Sequence, residues 1–190
     1  AEIHFYDGDY FFQNNAFRAP SAPAKDRFYE RLKKTDYLKG IYSNMHKHIY
    51  SHPYNLDESN LGELNDKTFV FISMDTCPDT KAIIEHLERQ DIPFIHTGIG
   101  LEDVGGSLRG SVKITSSFSG KRRHIDKRIT FENPVEDVYD QNIQIAELNA
   151  MCAVLAVIKW KKLFGIYKEY ANELFNCYLL FTNEIINDDI

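Results

Sequence analysis

Four polar residues near the start of the chain have the types and the spacing of a nucleotide-binding group. The short apolar run IHFY ends at Asp7, and Gly8 and Asp9 follow it. A carboxylate at the end of a strand suits a ribose, because two adjacent hydroxyls can both donate to it. Asn15 and Arg18 come six and nine residues after Asp9, and their planar N–H donors suit phosphate oxygens. On these residues alone, a simple Asp-Gly surface turn is the commoner explanation.

A second acid ends another apolar run. The segment TFVFISMD, residues 68–75, predicts a buried parallel strand because it is apolar almost throughout. Its last residue, Asp75, could hold Mg²⁺, which prefers oxygen ligands and often needs only one or two protein carboxylates. The alternative is a structural role, in which Asp75 caps the helix that Pro78 begins.

The elements that must position these residues alternate between helix and strand. The predicted elements are one or two helices at 25–46, a strand at 48–54, a helical turn at 57–65, the strand 68–75, a helix from 78 to about 90 and a strand at 92–97. This alternation predicts an α/β fold with a Rossmann-like, mostly parallel sheet. Loops at the carboxyl ends of such strands are where ligands bind.

The pattern changes after residue 98. The sequence predicts a flexible glycine-rich segment at 98–110, an antiparallel strand at 107–117, a solvated and mobile basic loop at 121–128, a short strand at 128–132, a long helix at 142–163 ending before Gly165, and a final strand at 174–186. The long helix is apolar nearly all round, which indicates packing on two sides or at an interface. The C-terminal part of the sheet is therefore expected to be antiparallel.

Composition fits one α/β domain. The chain has 190 residues, of which 43% are hydrophobic and 26% charged. The net charge of −6 does not favour nucleic-acid binding. No uncharged apolar run reaches the ~18 residues that a membrane-spanning helix needs.

The three cysteines, Cys77, Cys152 and Cys177, lie far apart and form no C-x-x-C pair. A structural zinc is therefore not expected. Their odd number, with no signal peptide, indicates reduced thiols and a cytoplasmic location. Three histidines, at positions 46, 48 and 52, offer a metal cluster, but neutral histidines with ordinary partners are the commoner case.

The spacing D-x-D-x(5)-N-x-x-R, from Asp7 to Arg18, resembles the ThiF/MoeB and ubiquitin-activating-enzyme superfamily. The motif SMDT at 73–76, in which Asp75 ends the strand, and PFIHTGIG at 93–100 carry the same resemblance. Residues 141–167 resemble a bacterial ThiF-type subgroup. Members adenylate the C-terminal carboxylate of a small ubiquitin-like or sulfur-carrier protein. The resemblance covers most of the chain and implies one ThiF-like adenylation domain over 1–190.

The resemblance also implies ATP and Mg²⁺ as cofactors and gives each candidate residue a role. Nucleotide binding falls to Asp7 (at the ribose), Asp9, Asn15, Arg18 and Lys34, and catalysis to Arg18 (at the phosphates) and Asp75 (at the metal). The family has a basic residue at the start of the next helix. Lys34 is our choice for it, with Lys33 and Lys25 as alternatives.

The sequence departs from the family in three places. Thr76 stands where the family's T-D-N motif has Asn, and the zinc-binding cysteine pairs are missing. The family also has a Gly-rich turn and a helix before the strand that ends at Asp7, whereas the chain begins at Ala1. We therefore expect a fragment, whose first strand and phosphate-binding loop come from further residues or another chain.

Two other functions stay open. One is an inactive module that binds a ubiquitin-like partner or pairs with a complete subunit; the resemblance implies a homodimer in either case. The other is a dinucleotide-binding oxidoreductase, against which the N-x-x-R spacing argues. Cys77 could accept a thioester, but it directly follows the metal-site segment, and a partly buried structural thiol is favoured.

Overall fold

The computed structural model describes residues 1–19, 23, 25–131 and 145–189. The chain divides into two compact units, Ala1–Asn60 and Leu61–Ile190. No helix in the described parts of the chain is long and apolar enough to cross a membrane.

The first unit is built on a parallel pair of strands. Strand β1 (Ile3–Tyr6) pairs with β2 (Ile49–His52), so that Ile3 lies opposite Ile49 and Tyr6 opposite His52. The connection holds helix α1 (Gln13–Ala16), a 3₁₀ turn (Lys25–Glu30) and helix α2 (Lys34–Tyr42). A helical crossover is what two parallel strands require, and the predicted helix-then-strand order is confirmed here.

Aromatic stacking holds this unit together. The Phe11 ring, 5% exposed, stacks on the Tyr37 ring of α2 at 3.8 Å between centroids. The backbone N–H of Phe11 donates to the Leu32 carbonyl at 2.9 Å. The chain that leaves β1 is thereby fastened to the start of α2.

The second unit is a five-stranded sheet in the order β3-β4-β5-β6-β7. Its strands are β3 (Val70–Ile72), β4 (Phe94–Val104), β5 (Ser107–Ser117), β6 (Phe175–Leu179) and β7 (Glu184–Asp188). The pair β3–β4 is parallel and the later pairs are antiparallel. The change from parallel to antiparallel pairing follows the predicted order.

In the described part of this sheet unit there are three α-helices: α3 (Pro78–Arg89), α4 (Ile125–Arg128) and α5 (Ala146–Leu163). The predicted helix at 78–90 is confirmed, with Ile83, Ile84 and Leu87 nearly inaccessible to solvent. Helix α5 buries Leu148 and Cys152 with the core of β4 and β5. It ends at Leu163 as predicted, while residues 142–144 of the predicted helix lie outside the described residues.

The glycine-rich segment is not flexible coil, which corrects the prediction for 98–110. Strands β4 and β5 pair continuously from Phe94↔Ser117 to Val104↔Ser107. Gly105 and Gly106 form the turn, with φ of 65° and 85°, a region that favours glycine. The apolar alternation along both strands outweighed the glycine count.

The basic segment 121–128 is not a solvated loop, and no strand forms over the described part of 128–132. Helix α4 takes its place. Arg122 pairs with Asp91 at 2.7 Å, and Arg128 pairs with Asp188 and Asp189. These partners lie far along the sequence, so the charge run alone could not indicate them.

Two strand lengths were also wrong. The predicted strand 174–186 is two strands, β6 and β7, because the chain turns at residues 180–183, where Asn183 adopts a φ of 57° that Asn tolerates. The predicted strand 68–75 shrinks to β3, and Phe71 on it is 44% exposed. Asp75 therefore follows a short strand that is buried only in part.

Candidate functional site

The turn after β1 contains two acids, Asp7 and Asp9, and hydrogen bonds hold its backbone in place. The Asp9 backbone N–H donates to Asp7 Oδ1 at 2.8 Å, and the Gly8 N–H donates to Asn55 Oδ1 at 2.8 Å. A Cβ on Gly8 would lie 2.6 Å from that Asn55 oxygen, so only glycine fits. The turn therefore fixes the two carboxylates at the carboxyl end of the strand.

Lys34, at the start of α2, meets both acids. Its Nζ lies 2.6 Å from Asp9 Oδ2 and 3.5 Å from Asp7 Oδ2, and its backbone N–H donates to the Asp9 carbonyl at 2.9 Å. Lys33 instead donates its Nζ to the Gly8 carbonyl at 2.6 Å and lies over the Tyr10 ring. Of the two described candidates, Lys34 is the one whose ammonium joins the acids; the side chain of Lys25 lies outside the described part.

Asn15 and Arg18 lie in and just after α1. Asn15 Oδ1 accepts from the Phe12 backbone N–H at 2.8 Å, which caps the helix. The backbone N–H of Arg18 donates to the Asn15 carbonyl at 3.2 Å. The predicted Asn15 side chain therefore has a local structural role in this state.

Asp75 lies in the second unit, in the turn between β3 and α3. Its backbone carbonyl accepts from Thr80 Oγ1 at 2.6 Å, while the N-cap of α3 is Cys77. The alternative in which the Asp75 carboxylate caps the helix is therefore wrong. Within the described residues this exposed carboxylate has no hydrogen bond or ion pair. An acid held by its backbone alone leaves its oxygens available to a hard cation.

A cavity of about 540 Å³ opens beside Asp75. Its walls come from the end of β3 and the following turn, 71–76, from β4, 96–99, and from α5, 149–157. Among the described residues that line the cavity, only Asp75 has a formal charge at neutral pH. A volume of this size lies within the roughly 300–1,000 Å³ of ligand pockets.

His96 is the residue of this cavity that the sequence reasoning did not single out. It is 6% exposed, and burial lowers its pKa to about 4, so the imidazole is neutral. Its Nε2 has no hydrogen-bond partner among the described residues. The available signal was a histidine inside the apolar run PFIHTGIG.

The surroundings of the three cysteines indicate structural thiols. Cys77 is half-buried at the start of α3, with its Sγ 3.3 Å from Thr80 Oγ1. Cys152 and Cys177 are buried, as predicted, and burial raises the pKa of both thiols. A raised pKa reduces the thiolate fraction, so neither buried thiol is poised as a nucleophile.

The histidines of the first unit have ordinary partners. His46 Nε2 lies 2.8 Å from the Ala1 carbonyl. His52 Nε2 lies 2.9 Å from His4 Nδ1, and its ring stacks on Tyr6 at 4.1 Å between centroids. Within the described residues, no group of three or more His, Cys, Asp or Glu side chains could hold a metal ion.

Comparison with known proteins identifies the fold. No protein-family model matches the sequence, and no curated protein matches it significantly. Solved structures do match. E. coli MccB aligns with 17% identity and a TM-score of 0.72 over 99% of this chain. E. coli MccB with ATP aligns with 16% identity and a TM-score of 0.66 over 99% of it. A selenomethionine structure of PaaA aligns with 17% identity and a TM-score of 0.66 over 100% of it.

The chain therefore has a ThiF/MoeB-like fold, which confirms the predicted α/β, Rossmann-like class and, at the level of fold, the family resemblance. Identities this low show the fold alone. The chain spans 56% of the PaaA chain and 55% of the MccB chain. What a whole protein of this fold does is therefore a separate question.

Proposed function

We propose that the chain is part of an ATP-dependent adenylyltransferase that activates the C-terminal carboxylate of a small ubiquitin-like or sulfur-carrier protein. The observation that carries the proposal is the meeting of Lys34 with Asp7 and Asp9 at the end of β1. Lys34 lies 25 residues after Asp9 in the sequence. A simple surface turn at Asp7–Asp9 would not need a contact with so distant a residue. The ThiF/MoeB-like fold supports the same function.

The reaction needs alignment and charge neutralisation more than covalent help. A carboxylate oxygen of the partner attacks the α-phosphorus of ATP, the bond from that phosphorus to the bridging oxygen breaks, and pyrophosphate leaves. Asp7 and Asp9 hold the nucleotide, with Asp7 accepting from the ribose hydroxyls. Arg18 and Lys34 neutralise phosphate charge, and binding of the nucleotide draws Lys34 away from the two acids.

Mg²⁺ fits the surroundings of Asp75. The exposed carboxylate lies between Met74 and Thr76, in a turn whose side chains Ser73 and Thr76 offer further oxygen atoms. Hard cations prefer such oxygen donors and keep several waters. When bound there, the ion would offset the negative charge of the phosphates.

ATP–pyrophosphate exchange tests this function directly. The assay uses the complete protein of which this chain is part, together with a candidate partner that ends in Gly-Gly. We expect exchange with the wild type, loss of it with Asp75→Ala, and retention with Asp79→Ala, an exposed acid in the first turn of α3. Exchange that persists in Asp75→Ala would exclude the metal role.

A second candidate is a binding module without catalysis. The specific observation in its favour is that Lys34 and Asn15 already have protein partners. Partner binding without any pyrophosphate exchange would support this module and contradict the enzyme.

We also propose that the chain forms a homodimer in the cytoplasm. Exposed apolar residues form one stripe on α5: Met151, Val154, Val157 and Ile158. A two-fold axis lets the same stripe on two copies cover itself. The three cysteines are free thiols, which agrees with a reducing compartment.

A further inference from the structure

The backbone of the acidic turn after β1 is held by a side chain to which the proposed chemistry gives no role. Asn55 lies three residues after the end of β2, and its Oδ1 accepts from the Gly8 backbone N–H at 2.8 Å. A Cβ on Gly8 would lie 2.6 Å from this oxygen, so the Asn55 amide lies directly against the turn. The N–H that it holds belongs to the peptide group that joins Asp7 to Gly8.

This peptide group affects the direction of the Asp7 carboxylate. The next peptide group is fixed at both ends, because the Asp9 N–H donates to Asp7 Oδ1 at 2.8 Å and the Gly8 carbonyl accepts from Lys33 Nζ at 2.6 Å. Glycine rotates more freely about its backbone bonds than other residues do. Without Asn55, the peptide group between Asp7 and Gly8 can therefore turn, and the hydrogen bond that orients the Asp7 carboxylate is weakened.

Asn55 is itself held in place. Its backbone carbonyl accepts from Asn60 Nδ2 at 2.9 Å, and Asn60 Oδ1 accepts from the Asp57 N–H at 2.9 Å. Asp57 Oδ1 in turn accepts from the N–H and the hydroxyl of Ser59 at 2.8 and 2.6 Å. A side chain that is supported by its own hydrogen-bonded segment can fix the geometry of a neighbouring site.

We propose that Asn55 is a positioning residue for the nucleotide site, which holds the Asp7 carboxylate in the orientation that accepts from the ribose hydroxyls. The inference rests on the proposed function, because that function places the ribose at Asp7. The bond from Gly8 to Asn55 is exposed to water, so it contributes little to the stability of the fold. Its main effect is on the direction of the carboxylate.

The affinities for ATP and for 2′,3′-dideoxy-ATP test the proposal. The two nucleotides differ only in the ribose hydroxyls, so the ratio of their dissociation constants reports the contact with Asp7. A smaller folded fraction weakens both apparent affinities equally and leaves the ratio unchanged. By calorimetry on the complete protein of which this chain is part, we expect the wild type to favour ATP by at least about 10-fold.

Two substitutions of Asn55 separate its hydrogen bond from its size. Asn55→Leu keeps a side chain of similar size without an acceptor, and we expect the preference for ATP to fall below about threefold, because a misplaced carboxylate loses the hydroxyl contacts. Asn55→Asp keeps an acceptor for the Gly8 N–H and restores the preference. Its added negative charge weakens both nucleotides alike, because both carry the same triphosphate, and so cancels in the ratio.

Asn44→Leu is the matched control. Asn44 is exposed just after α2, in the same unit as Asn55, and its Nδ2 donates to the Ile41 carbonyl at 3.0 Å. The substitution is chemically identical and also removes one amide, but it does not touch the acidic turn. We expect Asn44→Leu to keep the wild-type preference for ATP.

A preference that stays at the wild-type value in Asn55→Leu, or that Asn55→Asp does not restore, would overturn the inference and leave the proposed function intact. An equal loss of preference in Asn44→Leu would overturn it as well. Failure of the proposed function looks different: the wild type then binds the two nucleotides equally, or binds neither, and the role of Asn55 fails with the ribose assignment.

Discussion

Among single residues, Lys34 gives the sharpest test of the proposed chemistry. Lys34→Ala removes the ammonium that meets Asp7 and Asp9, and we expect the exchange rate to fall by about 10²-fold, as when other donors to developing charge are removed. Lys39→Ala, on the same helix and exposed, is the matched control. An exchange rate within about twofold of the wild type for Lys34→Ala would remove Lys34 from the site.

The family resemblance predicted a lysine at the start of this helix, and Lys34 was chosen with Lys33 and Lys25 as alternatives that no local pattern excluded. Adjacent side chains point in different directions, and the direction depends on where the helix begins. Lys33 is the extended N-cap residue of α2 (ψ of 148°), and Lys34 is the first helical residue. That boundary is set by the backbone bond to Asp9, which no local pattern contains.

Glu173, in the segment before β6, forms ion pairs with two lysines of helix α5. Its Oε1 lies 3.4 Å from Lys159 Nζ and 3.2 Å from Lys162 Nζ, and Lys159 and Glu173 are 3% and 2% exposed. Burial alone would raise the pKa of Glu173, but hydrogen bonds from its own backbone and Asn176, together with the two lysines, outweigh burial and lower the pKa to about 2.

Because the pKa of Glu173 is lower in the folded state than in the unfolded state, the stability of the second unit depends on pH. The pKa falls from 4.5 to about 2 on folding, so the stabilisation is complete above the higher value and is lost as the pH falls toward the lower one. We expect Glu173→Gln to cost about 3 kcal/mol at pH 7, the low end for a broken buried pair, because Glu169 still pairs with Lys159.

Urea unfolding between pH 7 and about pH 3 checks this expectation. The wild type should lose stability below pH 4.5 more steeply than Glu173→Gln. Glu184→Gln, on the exposed strand β7, is the control. Parallel pH profiles for the wild type and Glu173→Gln would show that the ion cluster contributes no acid sensitivity.

Among the elements, substitutions at two glycines, one just after a helix and one inside a helix, are expected to change the stability of the fold in opposite directions. Gly165 follows α5 with a φ of 70°, and the bonds Gly165 N–H to Lys162 O and Ile166 N–H to Lys161 O close the helix end. Gly165→Ala should therefore cost about 1 kcal/mol. Gly40 lies within α2 with open space around it, so Gly40→Ala should stabilise by up to about 1 kcal/mol.

Chemical unfolding of both variants measures the difference in sign. Each variant is compared with the wild type in urea, by far-UV circular dichroism. If both variants were more stable than the wild type, helix propensity would govern both positions; if both were less stable, the expectation for Gly40 would be wrong.

Local sequence patterns correctly predicted the elements that are stabilised by residues close together in the sequence. Pro78 and the apolar spacing of residues 83–87 defined α3 correctly. The antiparallel strand 107–117 was predicted with the bounds of β5. The second half of β4 was missed, because pairing with β5 stabilises it and outweighs the flexibility of its glycines. The position of α4 depends on the ion pairs of Arg128 with Asp188 and Asp189. Asp188 lies 60 residues after Arg128 in the sequence, so a local pattern could not indicate the contact.

For the whole molecule, the alternation of elements was enough to predict the α/β class, while the ThiF/MoeB-like fold was predicted from the motif resemblance between Asp7 and Arg18. The alternation did not predict the division into units 1–60 and 61–190, because that division depends on which segments contact one another in the folded chain. The cavity could not be predicted for a related reason. Its walls come from three stretches, 71–76, 96–99 and 149–157, and only the packing of α5 brings them together.

The apolar stripe on α5 leads to a prediction about assembly. Val154 is 56% exposed and does not line the cavity, so Val154→Glu places a charge on the stripe alone. If two copies bury it, the carboxylate loses its hydration at the interface, which costs more than a dimer of modest area can offset. We expect a mass near twice 22.1 kDa for the wild type and a monomer for Val154→Glu.

Sedimentation equilibrium over a range of concentrations measures both masses. Val104→Glu is the matched control, because Val104 is 55% exposed at the tip of the β4–β5 hairpin and the substitution is chemically identical. It should leave the dimer intact. A wild type that stays monomeric at high concentration, or a dimer that survives Val154→Glu, would leave α5 to another neighbour. Because Val104→Glu adds the same charge, it separates an effect of the stripe from an effect of net charge.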